Sequence, residues 1–269
     1  MSAYTLDLSG CYLKFNRAKI HIDDLSNRID ETFPYGKMVP LAETFDSKQS
    51  EIVIYIERVI EPPHQWSLIV GDAVHNLRGV LDHLAWQLAL RYFNGVKPTD
   101  DKIIKAIQFP IVSDAAKWPT HRHRKFMLSS DADNLEEFQP FNHKSTVPGD
   151  EHLFELFFGF GGISNVDKHR TIQLTEAVTT EADFPEPRFT DCVLRGSSAS
   201  HIVARYMLLD GVPEPGKEVW RVPVTVTGPN PQMEFDGNLS GSVLIRNLYD
   251  VRVALDAVAR MVARVVAKF

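Results

Sequence analysis

At 269 residues, with 44% hydrophobic and 24% charged side chains, the chain can bury a sizeable core, and its composition excludes a disordered protein. A formal charge of −6 excludes a surface built throughout to attract nucleic acid and leaves room only for a local basic site. No apolar run approaches the roughly 20 residues that span a bilayer, and MSAYTLDLSG at the N-terminus has neither a basic nor an apolar leader region, so a cytoplasmic protein without membrane contact is expected.

In chain order, apolar residues recur at helical spacing from Cys11 to about Phe33, and Pro34 with Gly36 ends the run. The β-branched and aromatic stretch Ile52–Ile60 reads as a strand closed by Pro62-Pro63. A second helix follows from about Gln65 to Phe93 and stops at Asn94-Gly95. Residues 97–150 are irregular, with five prolines and one short helix around Asp131–Phe138. This segment holds the densest basic run, His121-Arg122-His123-Arg124-Lys125 beside Trp118, a composition that a solvated loop also carries.

Glu151–Phe158 reads as a short apolar helix, Gly159–Gly162 as a break, and Asn165–Arg170 as a polar turn or helix start. Strands are expected within 171–178, 188–195, 201–209, 218–227 and 232–236. A last helix is expected from Ser242 to Lys268, on the spacing of Leu244, Leu248, Val251, Leu255, Val258, Val262 and Val265. The whole predicts one α+β domain over 1–269: packed long helices from about 11–33, 65–93, 151–170 and 242–268, with an antiparallel β-rich insertion over about 171–236. Cys11 and Cys192, far apart in sequence, suggest neither a disulfide framework nor a thiolate zinc site.

One face of the second helix is chemically unusual. In GDAVHNLRGVLDHLAW (Gly71–Trp86), a turn of about 100° per residue groups Asp72, His75, Asn76, Gly79, Asp82, His83 and Trp86 on one arc, with Arg78 at its edge. Val70, Ala73, Val74, Leu77, Val80, Leu81, Leu84 and Leu88 form the opposite, core-facing stripe. An ordinary solvated face would carry Lys, Glu and Gln, which favour helix more than Asp, Asn, His and Gly do. A proton-transfer group, a fixed cation and carboxylates on one arc point to chemistry. The alternative is a non-catalytic binding or scaffold protein in which the face is a buried polar network, bonded to Arg17 and His21 or to Arg246 and Arg252.

Arg78 and His83 stand in the spacing Arg-x4-His, which resembles the HEPN superfamily of helical ribonucleases. The wider pattern GD-x-x-HNLR-x-x-LDHL, followed by N-x-DKHR, is similar to a set of bacterial proteins. The chain departs from the superfamily at Gly79 and Ala85, where Asn and Tyr are common. The resemblance implies a metal-independent endoribonuclease that needs no cofactor and acts as a homodimer on RNA. It also implies a toxin or phage-defence effector, with a protein antitoxin as a further partner. In that mechanism His83 works as general acid or base on the ribose 2′-hydroxyl and the leaving oxygen, and Arg78 holds the scissile phosphate. Asp82 or Asp72 orients an imidazole such as His75, and Asn76 donates to a phosphate oxygen; the product ends in a 2′,3′-cyclic phosphate.

The second cluster, Asn165, Asp167, Lys168, His169 and Arg170, would contribute to the same RNA or phosphate site if its turn faces the helix. A third reading is a metal-dependent hydrolase with Asp72, His75, His83, Asp167 and His169 as ligands, although His75 and His83 lack the His-x3-His step.

Overall fold

The computed structural model describes residues 4–34, 37–142, 153–159, 162–167, 172, 174–183, 188–195, 214–234, 238–246 and 249–269. The chain divides into two compact units. One comprises Met1–Ser26, His64–Gln173 and Arg252–Phe269; the other comprises Asn27–Pro63 and Leu174–Val251. Helices dominate the first and antiparallel sheets the second, so the class is α+β. Among the described residues no helix is long and apolar enough to cross a membrane.

The first unit is organised by α2 (Gln65–Tyr92). Its stripe Val70, Ala73, Val74, Leu77, Val80, Leu81, Leu84 and Leu88 is fully buried, as the 3.6-residue period predicts. The helix ends where Asn94 turns to φ 54°, which lets the Gly95 amide donate to Leu90 O at 2.8 Å and the Asn94 amide to Arg91 O at 3.1 Å. This six-to-one and five-to-two pair satisfies carbonyls the helix would leave open. The first turns of α1 (Ser9–Thr32) belong to this unit, with Cys11, Ala18, Ile22 and Leu25 buried. So does most of α7 (Val251–Ala267), with Leu255, Val258, Val262 and Val265 buried.

The segment 97–142 is more ordered than its prolines suggest. It contains α3 (Asp101–Ala106), capped by the Asp100 carboxylate at 2.8 Å from the Lys102 amide, and two short 3₁₀ turns, Ala115–Lys117 and Arg122–Phe126. It closes with α4 (Ser129–Glu136). No residue of α3 is buried, so it carries no apolar stripe to betray it. Two further short helices follow, α5 (Leu153–Phe158) and α6 (Ile163–Asp167).

In the second unit, β1 (Lys37–Asp46) and β2 (Glu51–Ile56) form a hairpin within a larger sheet. Its path is β3 (Leu174–Asp183), β8 (Asn238–Ile245), β1, β2, β6 (Glu218–Val226) and β5 (Cys192–Leu194), with β9 (Tyr249–Asp250) paired back onto β8. The strands β4 (Arg188–Thr190) and β7 (Gln232–Glu234) pair separately.

Several expectations need correction. The strand expected over Ile52–Ile60 stops at Ile56. β1 was not expected, because Pro40 and Glu43 interrupt its apolar pattern. The last helix begins at Val251, not Ser242. Leu244 pairs with Thr175 and Asp250 in the sheet, and Arg246 takes φ 54° to reverse the chain. Buried Val243 and Ile245 carry the true period of two, which the coincidental spacing of Leu244 and Val251 masks. The strand expected at 201–209 lies outside the described residues.

Candidate functional site

The helix face divides into two sets. Arg78 points toward the segment 97–142, and its Nε and Nη2 donate to Oδ2 and Oδ1 of Asp82 on the same helix at 3.1 and 2.9 Å. The i,i+4 step puts the two side chains one turn apart, and the planar guanidinium matches the carboxylate with two parallel bonds. The pair also grips the backbone of buried Phe109. Arg78 Nη2 donates to Phe109 O at 3.0 Å, and the Phe109 amide donates to Asp82 Oδ1 at 3.0 Å. Three residues later the Val112 amide donates to Oε1 of buried Gln139 at 3.0 Å. An extended stretch with no periodicity of its own is thus fixed by polar bonds to its backbone.

The basic run forms another wall. Arg124 lies over the Trp118 ring, 4.8 Å from its centroid, and donates to Trp118 O; Trp118 Nε1 donates to Glu136 at 2.9 Å. These bonds commit Arg124 to structure and leave Arg122 exposed. His123 is buried, its Nδ1–H donating to Ala106 O at 2.7 Å while its Nε2 accepts from Arg122 Nε at 3.3 Å. His121 packs 5.0 Å from His123 between ring centroids, and its Nδ1 is sealed from solvent with no hydrogen-bond partner. Burial first, and then neighbouring charge led by His123 for His121 and Arg122 for His123, holds both imidazoles below the ordinary histidine pKa of 6.5.

A third wall comes from the turn between α5 and α6. A Cβ at Gly162 would lie 2.9 Å from the carbonyl oxygens of Gly159 and Leu156, so only glycine lets the chain double back there. Asn165 follows, its Nδ2 donating to Gly159 O at 3.2 Å. Together these parts line one polar cleft of about 360 Å³, bounded by Arg78, Asp82, His121, Arg122, His123 and Asn165.

The other residues of the unusual face do not line this cleft. Asp72 and His75 are exposed, and Asn76 spends its amide on Asp72 O of its own helix at 2.8 Å. His83 is exposed and stands against α1, so close that a Cβ at Gly10 would lie 2.5 Å from its Nδ1. Five residues carry it about 140° round the helix from Arg78, so within one chain the Arg-x4-His pair does not converge. Over Gly79 lies the Lys14 stem, 3.5 Å from a Cβ built there.

Of the residues expected in a buried polar network, Asp72, His75 and His83 are exposed, while Asp82 bonds Arg78 and the Phe109 amide. Of the second cluster, Asn165 lines the cleft; the Asp167 side chain, Lys168, His169 and Arg170 lie outside the described residues. Among the described residues no three His, Cys, Asp or Glu side chains are grouped to hold a metal ion, so Asp72, His75 and His83 do not form a ligand set by themselves.

His121, His123 and the Phe109 backbone are the site elements that the motif reading missed. The basic run His121–Lys125 was the sequence signal for the two histidines, and the Phe109 backbone had none. Comparison of the chain with protein-family models, with curated proteins and with solved structures finds no match.

Proposed function

We propose that the Arg78 cleft binds a phosphodiester of RNA and cleaves it without a metal ion, a HEPN-like endoribonuclease activity with its anion site on α2. The observation that carries this reading is convergence. Arg78 and Asp82, the basic run at 121–123 and Asn165 are three stretches separated by tens of residues, each set apart by its residue types, and they line one cleft.

The charge balance favours a diester. Among the described residues that line the cleft, Arg78 and Asp82 offset each other and His123 is held neutral, so Arg122 supplies one net positive charge. That matches a singly charged phosphodiester better than a doubly charged phosphate monoester. Arg78 Nη1 takes no part in the Asp82 and Phe109 bonds, which leaves a rigidly positioned donor for a phosphate oxygen. The 2′-oxygen would form a bond to phosphorus as the bond from phosphorus to the 5′-oxygen breaks, giving a 2′,3′-cyclic phosphate and a 5′-hydroxyl. A cytoplasmic toxin or phage-defence effector, working as a homodimer beside an antitoxin, is the wider role supported by the Arg-x4-His resemblance alone.

A second reading draws on one observation, the closed ring of Arg78, Asp82 and the Phe109 backbone, which by itself makes a structural clamp. The test is cleavage of total cellular RNA and tRNA in EDTA by the wild-type protein, Arg78→Ala and Arg122→Ala. Arg122 is exposed, so its loss leaves the clamp intact. Losing one charge-assisted phosphate contact, about 1.5–3 kcal/mol, is expected to slow cleavage by roughly 10- to 100-fold. RNA left intact by well-folded wild-type protein would leave the clamp as the sole role of the pair.

A further inference from the structure

We infer that His121, and not the motif histidine His83, is the group that takes the proton from the attacking hydroxyl in the Arg78 cleft; this rests on the ribonuclease reading above. Among the described residues three imidazoles compete for the role, and their surroundings separate them.

His83 is on the wrong side of α2. It stands about 140° from Arg78, against Gly10, and does not border the cleft. His123 borders it but has no lone pair to give. Its Nδ1–H is spent on Ala106 O, and its Nε2 already accepts from Arg122. Protonating Nε2 would set an N–H against an N–H, so the bonds lock His123 in one neutral tautomer. His121 borders the cleft; its Nδ1 is sealed from solvent, so the nitrogen that a substrate hydroxyl can reach is Nε2, which carries no hydrogen bond among the described residues.

The charges around His121 suit a base. Arg122 and His123 flank it on its own turn, while Arg78 and Asp82 border the same cleft from α2 and offset each other. Burial and the neighbouring imidazole and guanidinium hold it neutral near pH 7, which is the form that accepts a proton. The ribose 2′-hydroxyl would lose its proton to His121 Nε2 as its oxygen attacks phosphorus. The leaving 5′-oxygen would take a proton from water, and the imidazolium would return its proton to solvent. No oxidant, metal or further reactant enters the balance.

The experiment measures cleavage of tRNA in EDTA by wild type, His121→Ala, His121→Gln and His83→Ala, each with and without added imidazole. Expected is a loss of about 100-fold or more in both His121 variants, the usual size of a general-base contribution, partial recovery of His121→Ala by imidazole, and less than about a threefold change in His83→Ala. A merely structural role for His121 would show no imidazole rescue. Activity lost in His83→Ala and kept in His121→Ala would overturn the assignment while leaving the ribonuclease reading intact. Inert wild-type protein would overturn both. Folding of each variant is checked by circular dichroism, and failure of imidazole to restore a folded His121→Ala protein counts against the assignment.

Discussion

Removing the Asp82 carboxylate tests the clamp on which the cleft depends. In Asp82→Ala the Phe109 amide, in a residue only 1% exposed, loses its acceptor, a cost of about 1–3 kcal/mol. Arg78 keeps only Phe109 O as a partner. Because the Asp82 side chain is 38% exposed, water screens the ion pair and its own share is about 0.5–1 kcal/mol. Together these come to about 1.5–4 kcal/mol. Asp82→Asn, which keeps an acceptor but loses the charge, is expected to cost about 1 kcal/mol.

Urea unfolding followed by tryptophan fluorescence reads these losses. Trp66, Trp86 and Trp118 lie in the helical unit, and a slope of about 2–3 kcal/mol per molar turns the alanine loss into a midpoint drop of about 1 M. The two variants should part company in phosphodiester binding. Removing the negative charge while retaining the acceptor leaves Arg78 uncompensated, so Asp82→Asn should bind a dinucleotide several-fold more tightly, about 1 kcal/mol. A midpoint for Asp82→Ala within about 0.3 M of wild type would refute the clamp, and weaker binding in Asp82→Asn would refute the charge balance.

Two further outcomes follow from burial. The folded pKa values of His121 and His123 lie below 6.5, so below that pH the unfolded chain binds more protons than the folded one; stability should rise with pH through this window and level off above it, by at most about 1.4 kcal/mol per pH unit for each group. Asp131 and Glu43, raised by burial, act with the opposite sign, so the measurement compares urea midpoints of wild type and His123→Gln across the same pH series; equal slopes would refute the assignment. Cys11, whose thiol is pushed up to about 11 by burial and by Asp7, should resist iodoacetamide in native protein at pH 8 and react once unfolded, as mass spectrometry of the labelled peptide would show; rapid native labelling would place it nearer solvent than its 1% exposure.

What the sequence made legible was periodic. The buried stripe of α2 and its stop at Asn94-Gly95 follow from spacing and backbone preference alone. What it hid was structure held by partners distant in the chain. β1 depends on pairing with β2 and β8 and tolerates Pro40 within it. α3 is stabilised by an Asp100 cap and buries nothing. The same division runs through the site. Arg78, Asp82 and Asn165 stood out by residue type, whereas the walls facing them come from loops that no periodicity announces. The conflict over His83 was already in the sequence: a motif pairs it with Arg78, but a helix separates them by about 140°, and the helix decides where one chain places its side chains.

The polar bonds of the loop explain how a surface cleft can hold its groups in position. Phe109 is gripped through both its amide and its carbonyl, Ala106 through its carbonyl by His123, and Val112 through its amide by Gln139. Each bond pairs a backbone group of this segment with a side chain, so the residues that order the loop also orient the cleft. A free arginine must give up about 2 kcal/mol of rotamer freedom on binding an anion; Arg78 has lost much of it on folding, through Asp82 and Phe109. The pairing that cancels its charge therefore also sharpens its aim. On the phosphodiester reading proposed above, the cleft would gain selectivity for a singly charged, correctly placed phosphate at the expense of indiscriminate attraction for anions, in keeping with a chain whose net charge is −6.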